Sequence, residues 1–287
     1  MKNYLSYLEL CKIKISLFSA LSAATGYILV SGELTATILI PVMGVFFLAC
    51  GAGTLNQYQE KNIDAQMIRT QSRPIPSGRI ETQHAFYYAA LLLTTGFLIL
   101  FFLGNFAVLG LAVFALLWYN LIYTYLKRIT AFAAVPGAVT GAIPPAIGWV
   151  SGGGQLTDHG LLAICFFFFM WQVPHFWLLL LSYDKDFRQA GLPAINKLFS
   201  GKQLTKISIT WILAAATASL LIPFYGSSTS NAGNLLLFSV AVWLAWNGLK
   251  VYRQREGQSI YLSTFKKINI YMILVMLVLN LGSLLQL

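Results

Sequence analysis

The chain has 287 residues, 57% of them hydrophobic and only 10% charged, where a soluble domain carries about 25% charged residues. That excludes an ordinary water-soluble globule. A formal charge of +10 would suggest a nucleic-acid partner for a soluble protein, but here the basic residues are first read as topology signals.

The amino-terminal Met1-Lys2-Asn3 leads through Lys12 and Lys14 into an apolar stretch without a small-residue cleavage site, so this stretch is read as a retained helix. A spanning helix needs roughly 20 apolar residues to cross about 30 Å of hydrocarbon. Apolar runs of that kind predict nine helices, near 14–31, 37–57, 84–103, 106–124, 131–150, 158–181, 207–224, 233–250 and 268–286. With the amino terminus inside, all 19 Lys and Arg fall on the inner side. The opposite connections, near 32–36, 104–105, 151–157 and 225–232, carry none. The positive-inside rule is thus satisfied without exception. The long polar loops, 58–83 and 182–206, are both inside, and function is expected at that face. The expected fold is all-α, one domain over 1–287, with the helices sharing one bundle.

Cys11, Cys50 and Cys165 show no Cys-x-x-Cys spacing and are read as packing residues. In the fifth helix, Pro136, Pro144 and Pro145 with Gly137, Gly141 and Gly148 should introduce kinks and allow close helix approach. Simple packing accounts for them, and a cavity wall is the alternative.

Asn56, Glu60 and Asp64 stand at i, i+4 and i+8 at the inner end of the second helix, so on a continuous helix they form one ladder. Mg²⁺ takes one or two carboxylates and completes its octahedron with water and phosphate oxygens. A ladder alone is more often a wet helix end. Arg69, Arg73 and Arg79 follow at once, however, and guanidinium groups match phosphate oxygens. A metal-bridged diphosphate explains both signs together.

Tyr119, Tyr123 and Lys127 lie at the inner end of the fourth helix, where interface anchoring is the simplest separate reading. Trp171-Gln172-Val173-Pro174-His175-Phe176-Trp177 lies within the sixth helix. Asp184 and Asp186 follow, either as ligands of a second metal or as loop residues paired with Lys185 and Arg188. A histidine inside an apolar run is costly unless paired or functional, so His175 is read as a porphyrin contact, an iron ligand, a proton carrier or a hydrogen-bonded packing residue. His84 and His159 are read as bland. A transporter is disfavoured because the helix interiors are nearly free of charge.

The run Asn56-x-x-x-Glu60-x-x-x-Asp64-x-x-Met67-x-Arg69-Thr70-x-x-Arg73-Pro74 resembles the first signature of the intramembrane aromatic prenyltransferase superfamily. Tyr123-x-x-x-Lys127-Arg128 and Trp171-Gln172-x-Pro174-His175-Phe176-Trp177 are similar to the branch that farnesylates haem. The resemblance implies a bundle of nine transmembrane helices that transfers farnesyl from farnesyl diphosphate to the 2-vinyl group of haem B, giving haem O, with a quinone precursor as the alternative acceptor. It implies Mg²⁺ as cofactor, bound with diphosphate by Asn56, Glu60 and Asp64, while Arg69, Arg73 and Lys127 hold phosphate. Asp186 takes the place of the second acidic motif, with Asp184 beside it for a second metal. His175, Tyr119, Tyr123 and Trp177 become substrate contacts. Two departures stand out: superfamily members commonly carry Asp where this chain has Gln57 and Glu60, and their second motif has several Asp residues. The expected setting is a bacterial inner membrane, with the amino terminus and long loops cytoplasmic and the carboxyl terminus outside. Membrane lipid is an expected contact, nucleic acid is not, and a haem A synthase or oxidase-assembly protein is the candidate partner.

Overall fold

A computed structural model describes residues 2–103, 105–193, 195, 198–225, 231–253 and 258–285. Among them there are helices and turns but no strand. Lys197 and Arg255, both counted as inner-face cations, lie outside the described residues, as do Gly104 and much of the connection 225–232.

The helices, in chain order, are α1 (Lys2–Leu10), α2 (Ile13–Ser31), α3 (Leu39–Asp64), α4 (Thr82–Phe101), α5 (Phe106–Leu126), α6 (Ala131–Ser151), α7 (His159–Ser182), α8 (Asp184–Gln189), α9 (Gly201–Leu221), α10 (Asn231–Arg253) and α11 (Gln258–Leu285). Among the described residues nine helices are long and apolar enough to cross a membrane, in the nine places the sequence marks. Their outward faces carry Leu91, Leu98, Phe106, Phe238 and Leu277, exposed apolar side chains that lipid would cover. The chain is an integral membrane protein.

Three boundaries differ from expectation, each because polar residues prolong a helix past its apolar run. α3 continues to Asp64 because Asn56, Gln57, Glu60 and Asp64 are buried against protein rather than wetted. α9 starts at Gly201, where Ser200 and Gln203 form a capping box. α11 begins ten residues before the expected 268, and Tyr261 and Thr264 of that first stretch are buried. The short helices α1 and α8 are additional: neither is long enough to register as a span.

Close approach fixes the frame. A Cβ on Gly26 would lie 2.0 Å from the Pro145 carbonyl oxygen, and one on Gly148 would lie 1.8 Å from that of Ala23. Only glycine lets α2 and α6 cross with backbones in contact. A large apolar cluster drawn mainly from α6, α7, α9, α10 and α11, with Leu29 of α2, includes Phe167, Ile212, Leu244 and Tyr271. α9 and α10 buttress the bundle from behind, and none of their described residues lines the cavity, whose walls come chiefly from α2, α3, α5, α6, α7 and α11 with Leu93 of α4 and Phe187 of α8.

Candidate active site

That cavity has a volume of about 740 Å³. Its charged lining residues are Lys12, Lys14, Glu60, Asp64, Arg69, Arg73 and Lys127, and apolar side chains such as Phe168, Leu179, Ile147 and Met272 line it as well.

The ladder on α3 is buried. Asn56 donates through Nδ2 to Glu60 Oε2 (3.1 Å) and to Thr124 Oγ1 (3.1 Å). Its Oδ1 accepts from Lys12 Nζ at 2.9 Å. Lys127 Nζ donates to Glu60 Oε2 at 2.6 Å, and Arg73 Nη1 to Asp64 Oδ2 at 2.7 Å. Each acid is thus held by the cation that the sequence motifs set near it. Glu60 Oε1 is buried and has no partner. An orphaned carboxylate oxygen in a polar cavity is a demand for a cation or a donor. Together with Asp64 and the Asn56 amide it fits Mg²⁺, which takes its other ligands from water and phosphate. Among the described residues no three His, Cys, Asp or Glu gather around one point.

The bases on the wall outnumber the acids. Lys12, Lys14, Arg69, Arg73 and Lys127 face Glu60 and Asp64, five against two. Burial, followed by the nearby charges of Arg73 and Lys127, pulls the Lys12 ammonium down to about 7, against the pull of Glu60 and Asp64. Burial and then Arg73 likewise lower Arg69, whose guanidinium lies 5.1 Å from the centroid of the Tyr183 ring. A site with excess positive charge, partly desolvated, is poised for a multiply charged anion.

α5 supplies the opposite wall through a π-helical turn at Trp118–Tyr123, a feature that recurs at functional sites. Asn120 locks that turn to α3 by donating to Ala52 O (3.1 Å) and to Gln59 Oε1 (3.0 Å), while Gln59 Nε2 donates back to Asn120 O (3.1 Å). The result is a column of rings: Tyr119 stacks on Tyr123 (5.9 Å, 19°) and Tyr123 on Phe176 of α7 (5.4 Å, 12°). Gly137 permits this, since a Cβ there would lie 2.5 Å from the Tyr123 ring. The Lys127 ammonium sits 5.4 Å from the centroid of the Tyr123 ring.

Asn56, Glu60, Asp64, Arg69, Arg73, Tyr119, Tyr123, Lys127 and His175 all line the one cavity. Three expected residues do not. Trp177 is buried edge-on against Trp211 of α9 (6.3 Å, 77°), because the helical turn that turns His175 and Phe176 inward turns Trp177 outward. Asp184 pairs with Arg188 one turn on in α8 (2.5 Å). Asp186 Oδ2 accepts from the backbone N–H of Arg69 at 3.0 Å. Asp186 therefore ties the two inner loops together, while Asp184 is paired within α8.

The sequence reading missed four contributors. Lys12 registered only as a topology cation, although it alone among the described non-glycine residues has a positive φ, 48°. Asn120, Tyr183 and Asn269, the last 2.9 Å from His175 Nδ1, carried no signal because single polar residues acquire meaning only from their tertiary partners.

Both the sequence and the fold are similar to those of known proteins. The sequence model of the UbiA prenyltransferase family matches residues 16–273. A protoheme IX farnesyltransferase of Geobacter sulfurreducens is 36% identical over 239 residues, 83% of this chain and 85% of that protein. One of Oleidesulfovibrio alaskensis is 30% identical over 94% of both chains. Among solved structures, a digeranylgeranylglyceryl phosphate synthase superposes with a TM-score of 0.77 at 20% identity, covering 99% of each chain. A UbiA homologue of Archaeoglobus fulgidus bound to GPP and Mg²⁺ gives 0.65 at 14% identity, over 96% of this chain and 99% of that one. These two likenesses speak for the fold.

Proposed function

Because this chain belongs to the UbiA prenyltransferase family, we propose that it transfers the farnesyl group of farnesyl diphosphate to the 2-vinyl group of protohaem IX, giving haem O and diphosphate. The names of its relatives support the acceptor and donor. The observation that carries the chemistry is the pair of acid–cation contacts, Glu60 with Lys127 and Asp64 with Arg73, beside an apolar cavity.

These contacts are partners to be exchanged. Lys127, Arg73, Arg69 and Lys12 would turn to the oxygens of an arriving diphosphate, and the carboxylates of Glu60 and Asp64, with Asn56, would hold Mg²⁺. Mg²⁺ so bound supplies charge neutralisation at the leaving group. Lys127 and Arg73 stabilise the charge that grows on diphosphate as the allylic C–O bond breaks and its electron pair departs with oxygen. The faces of Tyr119, Tyr123 and Phe176 accompany the farnesyl cation by cation–π attraction and exclude water from it. The vinyl carbon–carbon pair attacks, and water adds to the resulting cation and loses a proton, leaving a hydroxyethylfarnesyl substituent.

The lysine and arginine asymmetry supports a cytoplasmic amino terminus and diphosphate site, in a bacterial inner membrane. A membrane partner of the haem A synthase or oxidase-assembly class is the expected recipient of so apolar a product. Purified protein incubated with haem B, farnesyl diphosphate and Mg²⁺ should yield haem O. Prenylation of a quinone precursor with haem B left unchanged would reassign the acceptor.

A further inference from the structure

His175 follows Pro174 in α7 and lines the cavity. Its imidazole is enclosed by Phe265 (centroids 4.7 Å apart), Trp171 (4.8 Å) and Phe176 (5.8 Å). Its one hydrogen bond runs from Nδ1 to Asn269 Oδ1 on α11, 2.9 Å away. The direction of that bond follows from the amide's other end. Asn269 Nδ2 lies 2.7 Å from the carbonyl oxygen of Phe265. A carbonyl only accepts, so the NH₂ must face it, and the amide oxygen must face the ring. That oxygen also only accepts, so Nδ1 carries the proton. A neutral imidazole protonated at Nδ1 has its lone pair on Nε2. The pairing is anchored next door, where Trp171 Nε1 donates to Ile268 O at 2.9 Å and pins α7 to α11.

We propose that Asn269 is a positioning residue that holds His175 in the Nδ1–H form and so presents Nε2 as an axial ligand to the iron of the porphyrin substrate. The inference rests on the haem reading above. An imidazole whose remote N–H is engaged by an oxygen acceptor is the usual arrangement at metal-binding histidines, where the partner fixes tautomer and ring angle. The aromatic enclosure offers an apolar bed for a porphyrin face, and no other histidine lines the cavity. Sulfur ligation is open only to Met67 and Met272, since none of the three cysteines lines it.

The test begins without haem. Nitrogen-15 spectra of histidine-labelled protein in detergent should show the His175 proton on Nδ1 and a bare Nε2, and Asn269→Leu should mix the tautomers. Ferric haem B should then give the absorption and electron paramagnetic resonance signature of a nitrogenous axial ligand. His175→Ala should abolish it, and added imidazole should restore it. Asn269→Leu should weaken haem binding about 10–100-fold, the usual cost of losing such a partner, whereas Asn269→Asp, which keeps an acceptor, should retain it. Affinity for metal-free protoporphyrin IX should be the same in all four proteins, which also shows that the variants fold. A proton found on Nε2 in the wild type, or a haem spectrum indifferent to His175→Ala, overturns the proposal even if haem O is made. Failure to farnesylate haem B, with tautomer and iron ligation as stated, would instead overturn the proposed reaction alone.

Discussion

At Glu60 the two carboxylate oxygens meet different demands. Oε2 is shared between Lys127 and Asn56, while Oε1 is buried with nothing opposite it. Glu60→Gln keeps the shape and removes the charge that a metal–diphosphate needs. It should lower kcat by about 10²–10³-fold with haem B affinity retained, as separate turnover and absorption titrations would read. Lys12 obeys a different logic. Its folded pKa, about 7, lies below the ordinary lysine value of 10.5, so between those values the unfolded chain binds the extra proton. Stability therefore rises with pH across that window, and below about 7 the folded state bears the full cost of burying the charge. Lys12→Met should raise the thermal midpoint most near pH 6, with the gain over wild type shrinking toward pH 9. A gain that grows with pH would contradict the assignment. The spacing of Asn56, Glu60 and Asp64 made this ladder legible in sequence because one helix carries all three. Lys12 and Asn269 were not legible in their roles, since their partners lie 44 and 94 positions away.

Among the helices, boundaries were read well where apolar runs end abruptly and poorly where buried polar residues continue them, as in α3 and α11. Hydropathy sees the cost of a polar side chain but not the partner that removes it. The π-helical turn of α5 was equally invisible, because the Asn120–Gln59 amide pair that ties it to α3 spans two helices. The glycines of the fifth predicted helix were correctly flagged for close approach, and two substitutions separate fit from propensity. Gly148→Ala forces the new methyl against the Ala23 backbone and should cost about 1–3 kcal/mol, the usual range for overpacking. Gly110→Ala meets nothing within 4 Å and should stabilise α5 by about 0.5–1 kcal/mol. Thermal unfolding in detergent would read both, and equal effects would refute the tight α2–α6 crossing.

For the whole molecule, we propose that all nine long apolar helices found among the described residues cross the membrane, which would put the amino and carboxyl ends on opposite sides. A cytoplasm-active reporter should therefore fluoresce when fused before Met1 and fail after Leu287, with a periplasm-active enzyme giving the converse; matching sides would break the nine-span count. The same polarity sets all five cavity bases at one mouth, and it bears on how each cycle finishes. A basket built to grip three or four negative charges does not distinguish the incoming ester from the spent pyrophosphate left behind. The released by-product should thus rebind and slow the cycle as it accumulates, and an added inorganic pyrophosphatase should quicken multiple turnovers while leaving the first one untouched.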